Sequence, residues 1–240
     1  SVAMTTSYGG EAMALDPSQN VFLLSNCNSN QICIVKLTSA LSFVNNVTFS
    51  GSLYVNNYGD VGGGRQGAIA YSAFNGNIYA VLTSTSGANS QVLVKEYSGS
   101  ALAPVNSVTF AGPGGFIYKG NGVGINSTTG DVYVTANSTS GFIKQAAILR
   151  YDANLSLIST ATLEGKDADV EVGSDQNVYV AGRMGFYRLN PNLTVYSCAS
   201  DYNASNFLAV QDSARVFGSG SGDSNTSTAI RVVKRDLSSA

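Results

Sequence analysis

Apolar and polar residues alternate along this chain in short runs, and the runs recur in a fixed order. Ala12-Met13-Ala14-Leu15 passes through a polar turn into Asn20-Val21-Phe22. The phrase returns as Ala68-Ile69-Ala70-Tyr71 with Asn77-Ile78-Tyr79, and as Val123-Gly124-Ile125 with Asp131-Val132-Tyr133. It returns again as Val170-Glu171-Val172 with Asn177-Val178-Tyr179, and as Leu208-Ala209-Val210 with Arg215-Val216-Phe217. Period-two alternation closed by a tight polar turn predicts a β-hairpin. A third apolar run follows each hairpin: 32–35, 92–94, 147–151, 185–189 and 230–233. A fourth follows in the first four repeats, at 46–49, 107–110, 159–163 and 194–197. No stretch sustains a 3.6-residue apolar period, so almost no helix is expected.

The repeats are drawn at about 9–55, 64–116, 119–165, 166–201 and 203–240, all within one domain spanning 1–240. The fifth holds three strand runs, while Ser1–Ser7 stands before the first repeat and reads like the fourth strands. The N-terminal strand is therefore expected to complete the last sheet and leave no open edge.

Four short strands per repeat, with repeats roughly 38 to 57 residues apart, match the pattern of a β-propeller. The phrase at the second strand also resembles that of the NHL-type and bacterial β-propeller-repeat families. Gly130-Asp131-Val132-Tyr133-Val134 and Gln176-Asn177-Val178-Tyr179-Val180 carry the resemblance, and Ala214-Arg215 in the fifth repeat departs from it. The resemblance implies an all-β, about five-bladed β-propeller with four-stranded antiparallel blades. It implies no function, because such folds host many. A pair of β-sandwiches is the alternative fold.

Composition narrows the function classes. Only 12% of the 240 residues are charged, about half the usual share, and net charge is −2. Basic residues are scattered, with Lys234–Arg235 the one adjacent pair, so no stripe for a phosphate backbone is present. No apolar run reaches the roughly eighteen residues of a membrane-spanning helix. The start lacks the form of a signal peptide, as expected of a mature chain or a cytosolic one. Cys27 and Cys33 enclose a short polar loop between strand-like runs, which predicts a disulfide across a hairpin tip, worth about 2 kcal/mol. A disulfide belongs to an oxidising compartment. Cys198 reads as a small buried hydrophobe. Glycosylation sequons begin at Asn46, Asn126, Asn137, Asn154, Asn192, Asn203 and Asn225. All seven fall in predicted turns, loops or outer strands, where glycans would project into solvent. Asn137 in particular is placed in a loop.

The chain has no histidine, which removes a Ser-His-Asp triad, a Cys-His dyad and histidine metal sites. Val61-Gly62-Gly63-Gly64 and Gly112-Pro113-Gly114-Gly115 read as connectors between repeats rather than phosphate cradles. Acidic residues remain. Asp167, Asp169 and Glu171 alternate along a predicted inner strand, which puts all three on one face. That face suits calcium or acid–base cleavage of glycosides. The equivalent positions Ala14, Ala70, Gly124 and Ala209 supply no second carboxylate. The plainer reading is a solvated strand edge with partners such as Lys166. Phe22, Tyr79, Tyr133, Tyr179 and Phe217 share one repeat position and are expected to pack between sheets; stacking on sugars is the alternative. The whole pattern favours a secreted or cell-surface, non-enzymatic structural or interaction protein that self-associates or binds other surface proteins. A lectin-like glycan binder and an acid–base glycoside hydrolase stand behind it. No cofactor is expected apart from calcium, and neither nucleic acid nor a membrane is an expected partner.

Overall fold

The computed structural model describes residues 10–28, 31–49, 53–54, 68–86, 89–112, 117–140, 143–165, 168–182, 185–200, 207–211, 215–221 and 228–234. Among the described residues every regular element is a strand, and no helix is long and apolar enough to cross a membrane. The expected N-terminal strand, Lys166, Asp167, Asn203, Asn225 and most of both glycine runs lie outside the described residues.

Strands follow chain order within each sheet. The first sheet runs β1 (Gly10–Leu15), β2 (Val21–Asn28), β3 (Gln31–Leu37), β4 (Phe43–Phe49). The third runs β10 (Ile117–Ile125), β11 (Val132–Ser140), β12 (Ile143–Tyr151), β13 (Leu157–Glu164). The fourth runs β14 (Asp169–Val172), β15 (Val178–Gly182), β16 (Gly185–Leu189), β17 (Val195–Ser200). The fifth holds β18 (Phe207–Gln211), β19 (Arg215–Ser221) and β20 (Thr228–Lys234). The registers given are antiparallel throughout, as short hairpin links require.

The second sheet departs from the sequence expectation. Its inner strand comes in two pieces, β5 (Leu53–Tyr54) and β6 (Ala68–Tyr71), both paired to β7 (Asn77–Ser86) ahead of β8 (Asn89–Ser98) and β9 (Pro104–Phe110). Tyr54 stands opposite Thr83 and Ala68 opposite Val81, so the two pieces lie in line along one edge of β7. Leu53 and Tyr54, drawn into the first repeat from sequence, thus belong to the second sheet.

Two compact units divide the chain, Ser1–Asn121 and Gly122–Ala240. In the first, Phe22, Leu24, Ile32 and Ile34 pack with Ile69, Ile78, Ala80 and Leu82, joining the inner halves of two sheets. In the second, Tyr133, Ala146 and Ile148 pack with Val170, Val178, Val180 and Leu189. These are the alternate residues of their strands, as a sheet buried on that face demands.

The turn between third and fourth strands is built alike in four sheets. Leu41, Leu102, Leu155 and Leu193 all take positive φ there, between 52° and 66°. In each turn the leucine N–H donates back to the first turn residue, Thr38, Ser98, Asp152 or Asn190. The side-chain oxygen of that first residue accepts a backbone N–H from across the turn. Positive φ strains a leucine. Burial offsets the strain at Leu102, Leu155 and Leu193, which are 3%, 4% and 6% exposed, whereas Leu41 is 63% exposed.

Candidate functional site

The shared aromatic position organises one end of the first four sheets. Strand pairing sets Phe22 opposite Lys36, Tyr79 opposite Glu96, Tyr133 opposite Arg150, Tyr179 opposite Arg188 and Phe217 opposite Val232. Phe22, Tyr79, Tyr133 and Tyr179 are fully buried, as expected of residues between sheets; the side chain of Phe217 is not among those described. In the first four sheets the partner is charged and forms a polar hub with turn residues of its own or the neighbouring sheet.

In the second sheet, Glu96 Oε1 accepts from Asn77 Nδ2 (2.7 Å), Tyr79 Oη (2.8 Å) and Asn75 Nδ2 (3.2 Å). In the fourth, Asp175 Oδ2 accepts from Asn177 Nδ2 (2.7 Å), Tyr179 Oη (2.9 Å) and Arg188 Nη2 (3.3 Å). In the third, Arg150 grips Asp131 Oδ2 through Nε (3.0 Å) and Nη2 (2.6 Å) and reaches Asn192 Oδ1 through Nη1 (2.7 Å). Tyr133 donates to the Pro191 carbonyl (3.1 Å), and burial pushes its phenol up to about 12. In the first, the buried Lys36 ammonium lies over the Phe22 ring and donates to the carbonyls of Gly99 (2.7 Å) and Ser100 (3.1 Å). A Cβ added to Gly99 would stand 2.4 Å from the Gly76 carbonyl oxygen, so this approach requires glycine. Sequence reasoning found the aromatics but missed these hubs. The Asn or Asp two residues before the aromatic in the first four repeats was their signal, because three of them (Asn77, Asp131 and Asn177) are hub members.

The acidic candidates sit elsewhere. Asp169 and Glu171 lie on β14 two residues apart and so share a face. Glu171 pairs with Tyr179, just as Ala14 pairs with Phe22, Ala70 with Tyr79 and Ala209 with Phe217. At the equivalent Gly124 the small residue has a steric cause. A Cβ added to Gly124 would come within 3.0 Å of the Val170 carbonyl oxygen, and one on Gly122 within 2.7 Å of Asp169 Oδ1. Inner strands β10 and β14 therefore run in close contact, and Glu171 places a long carboxyl where other repeats have none. Burial raises its pKa to about 8, with a further push from the Asp169 charge. The Asp169 carboxylate itself accepts from the Val170 N–H (3.0 Å). The pair can hold one proton near neutrality, both groups coming from one strand. No group of three metal-ligating side chains occurs among the described residues, and Asp167, the third calcium candidate, lies outside them.

The sequons divide. Asn46 is exposed on β4, and Asn154 and Asn192 are exposed in third-to-fourth-strand turns. Asn126 and Asn137 do not project into solvent: they are 2% and 8% exposed. Asn126 Oδ1 accepts from the N–H groups of Thr128 and Thr129 inside its turn. Asn137 lies in β11, not in a loop, and its Oδ1 accepts from Ala168 N ahead of β14 (3.3 Å). Thr83, likewise four residues past its aromatic, accepts from Gly120 N in the same manner (3.1 Å). Polar side chains that clasp the next inner strand thus mimic a loop in sequence. Cys27 and Cys33 are joined by a disulfide between β2 and β3, with Cα atoms 5.9 Å apart. Cys198 falls on β17 opposite Tyr187.

No protein-family model matches the chain, and no curated protein matches it in sequence. Solved structures do match in shape. A Bacteroides caccae protein of unknown function superposes with a TM-score of 0.66 at 9% identity, over 97% of this chain and 80% of that one. The WD40 domain of Neurospora crassa Pan2 gives 0.61 at 10% identity, over 99% and 66%. The gluconolactonase XC5397 of Xanthomonas campestris gives 0.51 at 13% identity, over 87% and 68%. These likenesses and the four-stranded antiparallel sheets show the fold: an all-β propeller of about five blades.

Proposed function

We propose that this chain is a non-enzymatic secreted or cell-surface protein that works through contacts with copies of itself or with neighbouring surface proteins. One observation carries the reading. The polar side chains at these ends of the first four blades are taken up in holding the blades: Glu96 by three donors, Asp131 by Arg150, Asp175 by three donors, and Lys36 by two carbonyls. The Cys27–Cys33 disulfide supports an oxidising compartment. Low charge supports a surface that meets others through neutral hydrogen-bonding groups. Glycans at the exposed Asn46, Asn154 and Asn192 belong to the same reading.

Electron microscopy and light scattering of the protein as isolated test it. Ordered assemblies, or a stable complex with surface proteins, are the expected result. A monodisperse monomer that cleaves a glycan, and loses that activity on Glu171→Gln, would overturn it.

A further inference from the structure

The hubs of the second and fourth sheets are one arrangement with the charges exchanged. The third-strand residue opposite the aromatic is Glu96 in the second sheet and Arg188 in the fourth. The turn residue four before the aromatic answers it: Asn75 in the second sheet, Asp175 in the fourth. Asp175 receives donors on its carboxylate, Arg188 among them. Asn75 instead gives its amide hydrogens to Tyr79 Oη (2.9 Å) and Glu96 Oε1 (3.2 Å). The amide is what fits beside Glu96, because a carboxylate there has no hydrogen to give and carries the same charge.

This amide is exposed and precedes a glycine. Gly76 takes a φ of 74°, and a Cβ built on it would meet nothing nearer than Tyr71 Oη at 3.8 Å. The Asn77 N–H donates to Asn75 Oδ1 (3.2 Å), which closes an Asx-turn and folds the amide carbon back toward the Gly76 nitrogen. The same N–H steadies the oxygen that gains charge when that nitrogen adds to the carbon. The Gly76 N–H is held by the Ser72 carbonyl (2.9 Å), so the addition waits on opening of the turn and is slow. Asn121, the other asparagine that precedes glycine, is 4% exposed within β10. The turn also supports a contact beyond itself. The Gly76 carbonyl accepts from the Gly99 N–H (3.0 Å), and the Gly99 carbonyl accepts from Lys36 of the first sheet (2.7 Å).

We propose that Asn75 is a site of spontaneous deamidation, and that its conversion loosens the clasp between the first and second sheets. Asparagine is among the thermolabile side chains. The Gly76 nitrogen adds to Asn75 Cγ and loses its proton to water. The Cγ–Nδ2 bond breaks, and the nitrogen leaves as ammonia with a proton from water. A second water opens the cyclic imide at either carbonyl, which yields aspartate or isoaspartate. One water is consumed and one ammonia released, and no other reactant takes part. Aspartate sets a second carboxylate against Glu96, in a hub whose donors, Asn77 and Tyr79, are uncharged. Isoaspartate lengthens the main chain by one carbon just before Gly76. Either product disturbs the carbonyl on which Gly99, and through it Lys36, is held.

Peptide mapping by mass of the whole chain, aged folded in mild alkali, tests the site. Aspartate and isoaspartate should accumulate at position 75 while Asn121 keeps its amide, and amide exchange at the Gly99 N–H should speed up as they do. Asn75→Asp stands for one product. It should melt about 5 °C or more below the wild type at neutral pH. Glu96→Gln in the same chain should recover most of that loss, because an amide then faces the carboxylate. Folded protein in which position 75 converts no faster than Asn121 overturns the site. Asn75→Asp that melts with the wild type, or that Glu96→Gln leaves equally low, overturns the loosening of the clasp. Gly99 exchange that is unchanged in the converted protein overturns it as well.

Discussion

The two compact units build the same kind of seam from different chemistry. In the first, Lys36 reaches from the third strand of one sheet into the β8–β9 turn of the next and binds two backbone carbonyls, while Leu102 of that turn is buried. In the second, Arg150 reaches from the third strand of its sheet into the β16–β17 turn and binds the Asn192 side chain. Tyr133 adds a bond to Pro191, and Leu193 is buried. Position repeats here, and residue type does not. A donor from the third strand and a strained leucine from the neighbouring turn meet in both units. The Lys36 seam reads only main chain, whereas the Arg150 seam also ties down a carboxylate, Asp131, on its own sheet. The second seam should therefore suffer more from loss of its cation.

The leucines give the largest test. Leu102→Ala and Leu193→Ala should each cost about 2–5 kcal/mol, as buried leucines do. Leu41→Ala, in the same turn but exposed, should stay within about 0.5 kcal/mol. Equal losses at all three in chemical unfolding would show that the turn rather than burial matters. Next come the cations. Arg150→Met strands Asp131 and should cost about 2–3 kcal/mol, against about 1–2 kcal/mol for Lys36→Met, which strands only carbonyls. The reverse order in urea titrations would break the contrast drawn between the seams.

The acid pair sharpens it through pH. Glu171 binds its proton more tightly folded, at about 8, than at its ordinary value of 4.5. The folded state then holds more protons than the unfolded one between these values, so stability is complete below about 4.5 and falls as pH rises through about 8. Glu171→Gln should remove that fall, so that its melting temperature gains on the wild type as pH goes from 5 to 9. A parallel pair of curves would assign the slope to other groups. The same sign predicts that a chain this poor in carboxylates will keep its β-signal in circular dichroism to about pH 3. The smallest effect is a gain: Leu41→Gly relieves positive φ without losing buried surface, and should stabilise by about 1 kcal/mol. A loss of melting temperature there would mean that Leu41 is covered.

What was legible in the sequence followed from period two. The inner and second strands, and the aromatic position they share, are set by local alternation and need no partner to be recognised. Glu171 stood out as the one acid in a column of Ala and Gly, although its raised pKa depends on the close packing of β10 on β14. Other features obeyed contacts rather than local preference. The turn leucines occupy a conformation that favours Gly or Asn, so nothing local at Leu41, Leu102, Leu155 or Leu193 marked a repeated turn. Asn137-Ser138-Thr139-Ser140 read as loop because its polar residues look solvated, whereas Asn137 and Ser138 are buried in β11. The charged hub partners escaped notice because the residue facing each aromatic depends on the register between second and third strands, which only the closed hairpin fixes.

The split inner strand of the second sheet has a practical meaning. Tyr54 faces Thr83 and Ala68 faces Val81, so positions 54 and 68 of the chain meet β7 only two residues apart. Entry and exit are only about 7 Å apart along the strand. Such a junction should act as a socket: its two contacts are fixed by the sheet, so the segment between them is expected to accept changes of length or content. A reporter peptide, a binding loop or a new pair of chain termini grafted there would inherit a rigid mount.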